Sequence, residues 1–358
     1  MKTIHILTKG FDSPNSYAFL YPLILYKHAL YRDQIELKFF KSIKKSMYDC
    51  DVLLTESKFF STQWSQHTEK VLATFVSFKE KIKKVYYVDI NDSSGWPHAR
   101  VLPYVDGYFK NQLLKDKSLY LTSFYAHRIY ADFYHKKYQV HDKSPLYSEV
   151  VTHPALLQKL HLSWNSGLAN YSLRGPYRSL LYKKIPLQFL LSFPKNFIMT
   201  NIHRNNDVSC RMGITYPRES VAWQRRQIRK ILHAYIPTNK VSRKQYYQEL
   251  LSSKIVISPF GLGEITLKDF EVFLTGGLLI KPDMSHMETW PNFYRNNDTL
   301  LMHHWDLTDL TPLVEEVLSH YRTYIDIAHE GQEYYRHYLS GPHAYPLFRQ
   351  HFLGMLNV

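Results

Sequence analysis

The sharpest alternation of apolar and polar positions lies in residues 254–290, KIVISPFGLGEITLKDFEVFLTGGLLIKPDMSHMETW. A short apolar run at 255–257 predicts a buried strand. Pro259, Gly261 and Gly263 predict a turn, and a second apolar run at 278–280 predicts another strand. Between them Leu267, Phe270 and Leu274 recur at helical spacing. Thr266 with Asp269 forms a capping box, and Gly276-Gly277 is a natural helix stop. The unit is strand, loop, helix, strand, the building block of a parallel α/β sheet. Upstream, strands are predicted at 2–8, 35–40, 51–55, 84–90 and 105–110, and helices over 16–31 and 69–81. Residues 120–154 show no clean period. Residues 160–167 form a marked element to which the residues alone assign no mechanism. A junction is predicted at 186–195, followed by a strand at 196–201 that opens a second sheet. Helices are predicted over 218–233 and 243–251, a strand at 300–305, and helices over 311–339 and 345–356. The expected class is α/β with two Rossmann-like domains. The expected division is 1–185, 186–340 and 341–358.

Ligands of open α/β sheets collect at the carboxyl ends of strands. The loop carrying Gly261 and Gly263 is predicted to lie there. Glycines permit close approach of a ligand, and free N–H groups at a helix start suit phosphate. Lys268 and Glu271 share one helix face, and the carboxylate can accept hydrogen bonds from sugar hydroxyls. These features point to a nucleotide or nucleotide-sugar site; the plain alternative is an ordinary βα unit with a solvated Lys-Glu pair. The polar loop after residue 280 adds Lys281 and His286 as phosphate candidates, with Asp283 and Glu288 as sugar or base candidates. Arg204 follows the strand predicted at 196–201 and suits phosphate through its planar fork. Arg243 opens the helix that feeds the central unit and is a candidate for reaching the nucleotide, with a structural role as the alternative. At the predicted end of the 84–90 strand, Asp92 and His98 are candidates for a base acting on an acceptor hydroxyl.

The segments ISPFGLGE, KDFE and LTGGLLIKPD resemble the donor half of GT-B glycosyltransferases, nearest to the group-1 and exostosin-like families of bacterial polysaccharide synthesis. The resemblance covers roughly 243–290. It implies a GT-B arrangement, with a cleft between the two domains and the last helix crossing back onto the first, and it implies that Glu271 binds the ribose of a nucleotide-sugar. It also implies that Arg204 and either Lys268 or Lys281 meet the diphosphate, and that the 261–264 loop meets the phosphates or donor sugar. The family's second Glu stands eight residues before the first, where this chain has Gly263. Glu264 lies beside it, so its catalytic role and a retaining outcome stay open. The implied activity is metal-independent transfer of a sugar to a hydroxyl of a glycan or lipid-linked acceptor, with no cofactor beyond the donor. The alternatives are a non-catalytic nucleotide-sugar-binding relative and a basic nucleic-acid-binding protein.

Composition narrows these. The chain has 358 residues, enough for two domains, and 45% of them are hydrophobic. No apolar run reaches the length of a membrane span and no signal peptide opens the chain. Two cysteines do not make a disulfide framework, and the expected location is the cytoplasm. The net charge of +14 suits phosphosugars, and leaves open a peripheral position on an anionic inner membrane face, with the basic 218–233 segment as one candidate for leaning on lipid. Zinc-finger spacing, RNP pattern and arginine-rich tail are missing, so no nucleic-acid partner is expected. The TKGFDSPNS loop lacks the dinucleotide fingerprint, which disfavours an NAD-linked oxidoreductase. The histidines lack ligand spacing, so no metal is expected.

Overall fold

The computed structural model describes residues 1–232 and 237–357. Its first half is built on β1 (Lys2–Leu7), α1 (Pro14–Leu25), α2 (Lys27–Arg32), β2 (Ile35–Phe40), β3 (Val52–Glu56), α3 (Thr68–Lys81), β4 (Lys84–Asp89), β5 (Gly107–Lys110), β6 (Gln112–Leu114), α4 (Ile129–Tyr138) and β7 (Leu160–Leu162). Six of these strands form one sheet in the order β2-β1-β3-β4-β5-β7, parallel throughout. The strand order reverses direction between β1 and β3, which opens a crevice outside their carboxyl ends. The predicted 16–31 helix is divided at Tyr26, which caps α1 and starts α2. Within the segment predicted as irregular, α4 buries Tyr130, Ala131 and Tyr134.

α5 (Gly175–Lys184) follows and lies against the first half, with Tyr182 on Phe11 and Lys183 paired with Asp12; the second half then contains β8 (Asn206–Ser209), α6 (Glu219–Leu232), α7 (Arg243–Ser252), β9 (Ser253–Ile257), α8 (Leu267–Thr275), β10 (Leu278–Pro282), β11 (Met287–Thr289), β12 (Leu301–His303), α9 (Leu310–Ser319), α10 (Tyr321–Leu339) and α11 (Ala344–Leu356). Its sheet runs β12-β10-β9-β8, also parallel. The α/β class with two parallel sheets expected from the sequence is the class observed. The central unit holds closely. Thr266 and Asp269 form the capping box, and Gly276 closes α8 with φ +71. Residues 196–201 form no strand. The first strand of this sheet is the polar NDVS of β8, while Ile198 N–H bonds the Leu274 carbonyl at the tail of α8 instead. The long 311–339 helix is split at His320. Residue 233, the predicted last residue of the basic helix, lies outside the described residues.

The two halves meet along a well-bonded seam. β6 from the first half pairs antiparallel with β11 from the second. Asn165 binds the Pro291 carbonyl at 2.6 Å and the Thr289 hydroxyl at 3.1 Å. Trp164, next to it, stacks on Phe19 and meets Phe348 and Phe352 of α11 edge-on. One apolar core therefore runs without a break from the first sheet through Trp164 to Phe270, Phe293 and Tyr335 around α8 and α10. α11 lies on the first half: Tyr86 hydroxyl donates to the Leu356 carbonyl, and Tyr345 to Asp33.

Candidate nucleotide-sugar cleft

At the carboxyl ends of β8 and β9 a cleft of about 350 Å³ opens among Arg211, Arg225, Lys240, Arg243, Tyr246 and Lys268. Five of these six side chains are cations drawn from four separate segments. The site is formed where α6, α7 and α8 converge above the sheet, with Ser258, Pro259 and Thr266 along its edge. Arg225 is buried on the inner face of α6, where it donates to the Phe260 carbonyl at 2.8 Å and the Gly213 carbonyl at 3.1 Å. Burial pushes its guanidinium below the usual range. Lys268 donates to the Arg211 and Ile257 carbonyls, and burial lowers its ammonium too. Cations held by neutral carbonyls rather than carboxylates keep their charge uncompensated, which favours an anionic occupant.

Glu271 lies next to the cleft, with its carboxylate 3.1 Å from Arg243 Nη1. Burial raises its carboxyl, partly offset by Arg243 and the Tyr246 hydroxyl. Arg211 is partly compensated, by Glu249 at 2.7 Å. Of the residues named from sequence, the structure brings Arg243, Lys268 and Glu271 together here. Arg225 and Lys240 were missed, and Arg211 stands out in the sequence only as the basic residue closest after Arg204. Each belongs to a stretch with no motif, and only the meeting of three helices reveals them.

The glycine loop faces the other way. A Cβ on Gly263 would overlap the Asp92 carbonyl of the first half. The Gly261 carbonyl accepts from Tyr130, and Leu262 from Arg128 Nε at 2.6 Å. Glu264 is fully buried at this seam. It accepts from the Ser94 hydroxyl at 2.7 Å, Ser94 N–H at 3.1 Å and Gln112 Nε2 at 2.9 Å. Burial pushes its carboxyl up, but His286 at 3.7 Å and the Ser94 donors outweigh this and hold it below the usual value. Gly261, Gly263 and Glu264 thus serve to close the two halves, while the cleft uses the loop's outer edge. Asp92, half-buried, is held at this seam by Asn15 Nδ2 at 2.7 Å.

Three placements correct the sequence reading. Arg204 precedes β8 instead of following a strand, so it stands at the amino end of the sheet, away from the cleft. There it caps the ends of α7 and α8, donating to the carbonyls of Leu250, Ser253 and Thr275. Lys281 is wholly buried beneath the loop, 3.0 Å from Asp269 and near the rings of Phe260 and Tyr294, and has no route to a phosphate. His98 is sealed in the first half, with its ring nitrogens against the Tyr87 hydroxyl and the Asn91 amide, and burial lowers it to about 4. A neutral, fully engaged ring does not reach an acceptor.

The crevice between β1 and β3 holds a carboxylate that sequence reading passed over. Glu56, the last residue of β3, receives the hydroxyls of Thr8 and Ser16, and burial raises it to about 7. Among the described residues, no group of three or more His, Cys, Asp or Glu side chains is placed to hold a metal ion. No described helix is long and apolar enough to cross a membrane.

No family model matches the chain, and no curated protein matches it. Solved structures give distant likenesses over the full length. Anabaena Alr3699/HepE in complex with UDP-glucose is 8% identical, with 100% of both chains covered and a TM-score of 0.44. The catalytic domain of starch synthase IV from Arabidopsis thaliana, bound to ADP and acarbose, is 8% identical, covering 100% of this chain and 99% of that one at 0.47. Sucrose-phosphate synthase from Thermosynechococcus elongatus is 9% identical, with full coverage of both chains at 0.43. Likenesses this distant carry no residue-by-residue correspondence.

Proposed function

We propose that the chain is a glycosyltransferase of GT-B type that moves a sugar from a nucleotide-sugar to a hydroxyl on a glycan or lipid-linked acceptor. The observation that carries this is the cleft of five cations at the carboxyl ends of β8 and β9, with the Glu271 carboxylate at its side. A nucleoside diphosphate has the matching chemistry: two phosphates for the arginines and lysines, and a ribose diol for a carboxylate acceptor.

In this reading Arg225 and Lys268 neutralise the diphosphate as it leaves, because charge that develops in the transition state is stabilised by preorganised donors already fixed by carbonyls. Arg243 orients Glu271 toward the ribose. The acceptor approaches from the first half, where Asp92 at the seam is the base candidate that remains after His98 is set aside. Glu264 and His286 hold the seam at which donor and acceptor sides meet.

The test is a transfer assay with a matched donor on wild type and Asp92→Asn. The expected result is a fall in kcat of about 100-fold or more with donor affinity unchanged, in line with loss of a positioned base. Turnover equal to wild type removes Asp92 from the reaction. Donor binding without any turnover in the wild type turns the reading into that of a non-catalytic nucleotide-sugar binder.

A further inference from the structure

Among the described residues, six exposed apolar side chains gather away from the cleft floor, on α5 and the turn that follows it. Phe189 is 71% exposed, Leu180 62% and Tyr177 57%, with Leu181, Ile185 and Leu187 also open. On α5, Tyr177, Leu180 and Leu181 fall at i, i+3 and i+4 and so share one face, while Gly175, Ser179 and Tyr182 turn toward the body. The segment is not loose. Arg178 donates to the Phe189 carbonyl at 2.9 Å, and Tyr21 bonds the Ser192 carbonyl at 2.8 Å, which fixes the outward face as a surface.

Charge says what covers it. No acidic residue occurs in the sequence between Glu149 and Asp207. α5 and its cap carry Arg174, Arg178, Lys183 and Lys184, and of these only Lys183 has a carboxylate partner, Asp12, among the described residues. Beside α5 runs a shallow groove of about 410 Å³, walled by Leu173, Tyr177 and Leu181 and flanked by Arg174, Arg178 and Lys244. Arg243 borders this groove and also the basic cleft, so the two are adjoining. An apolar face ringed by cations suits a layer of acyl chains beneath negatively charged headgroups. A soluble protein partner would need acidic side chains around a matching apolar patch, whereas an anionic bilayer presents both without specific fitting.

We propose that α5 and residues 185–189 form a docking face for an anionic lipid bilayer, placing the mouth of the basic cleft against the membrane surface. The face goes beyond the transfer reading and does not depend on it. It also differs from the basic 218–233 segment considered from sequence, because α6 turns Arg225 and Ile228 into the protein.

The test is sedimentation of the full chain with vesicles of phosphatidylcholine alone and of phosphatidylcholine mixed with phosphatidylglycerol. Binding is expected only to the mixed vesicles, and to weaken with salt. Leu180→Glu combined with Phe189→Glu is expected to abolish it. Arg174→Glu combined with Lys184→Glu is expected to reduce it by about fivefold or more for each cation removed. These side chains are exposed, so the variants are expected to keep the wild-type melting temperature and the nucleotide response of the cleft. No binding to mixed vesicles overturns the proposal, as does binding undiminished in both variants. Concentration-dependent self-association that is lost in the Leu180→Glu, Phe189→Glu variant, without vesicle binding, assigns the face to a second copy of the chain instead.

Discussion

A carboxylate sealed in the crevice between β1 and β3 makes stability depend on pH in an unusual direction. Glu56 has a folded pKa of about 7, above the ordinary 4.5, because burial opposes its charge more than the Thr8 and Ser16 hydroxyls favour it. Below the ordinary value both states hold the proton. Between 4.5 and about 7 the unfolded chain releases it first, so stability falls as pH rises; above about 7 the loss is complete. The full effect is about 3 kcal/mol at about 1.4 kcal/mol per pKa unit. Glu56→Gln is expected to flatten this slope and to raise the melting temperature at pH 8, read from thermal unfolding across that window. An identical slope in both proteins contradicts the assignment. The cleft gives a second expectation at this scale: Arg225→Ala is expected to weaken nucleoside diphosphate binding by about 1.5–3 kcal/mol, the scale of a charged hydrogen bond, measured by titration calorimetry. Neither Glu56 nor Arg225 stood out in the sequence. Glu56 reads as the polar residue after a strand, and Arg225 as one charge on a basic helix. What distinguishes them is which neighbours the fold supplies.

Elements were legible where the local pattern and the tertiary demand agreed. β9, α8 and β10 follow their apolar runs, cap and glycine stop because a strand buried on both faces must be continuously apolar. β8 escaped notice because its NDVS is short and half polar, and the apolar 196–201 stretch beside it drew the strand reading. That misreading moved Arg204 to the wrong end of the sheet. Leu267 shares helical spacing with Phe270 and Leu274, yet it is 38% exposed because it opens the first turn of α8, while the other two are buried. The loop before α8 carries the strictest demand. Gly263 lies against the Asp92 carbonyl with no room for a Cβ. Gly263→Ala is expected to cost about 1–3 kcal/mol through overpacking at the seam, seen as a lower urea midpoint. An unchanged midpoint would show that the seam has slack there.

Across the whole molecule, two parallel sheets are joined by the β6–β11 ribbon, the Asn165 bonds, the buried Glu264 and a core continuous through Trp164. Such a seam predicts a single cooperative unfolding transition by calorimetry; two separated transitions would show halves that fold independently. The general architecture could be read from alternating strands and helices, since each element declares its own buried face. The cleft could not, because Arg211, Arg225, Lys240 and Arg243 are brought together only by the packing of α6 and α7 over the second sheet. The central claim is that this cleft takes a nucleotide-sugar. The most direct measurement is a thermal-shift panel of UDP, GDP, CMP, ADP and dTDP sugars on wild type, Arg225→Ala and Glu271→Gln. One nucleotide is expected to raise the wild-type melting temperature by mass action, with the rise lost or much reduced in both folded variants. No rise with any donor at millimolar concentration, or a rise that survives both substitutions intact, contradicts the assignment of the cleft.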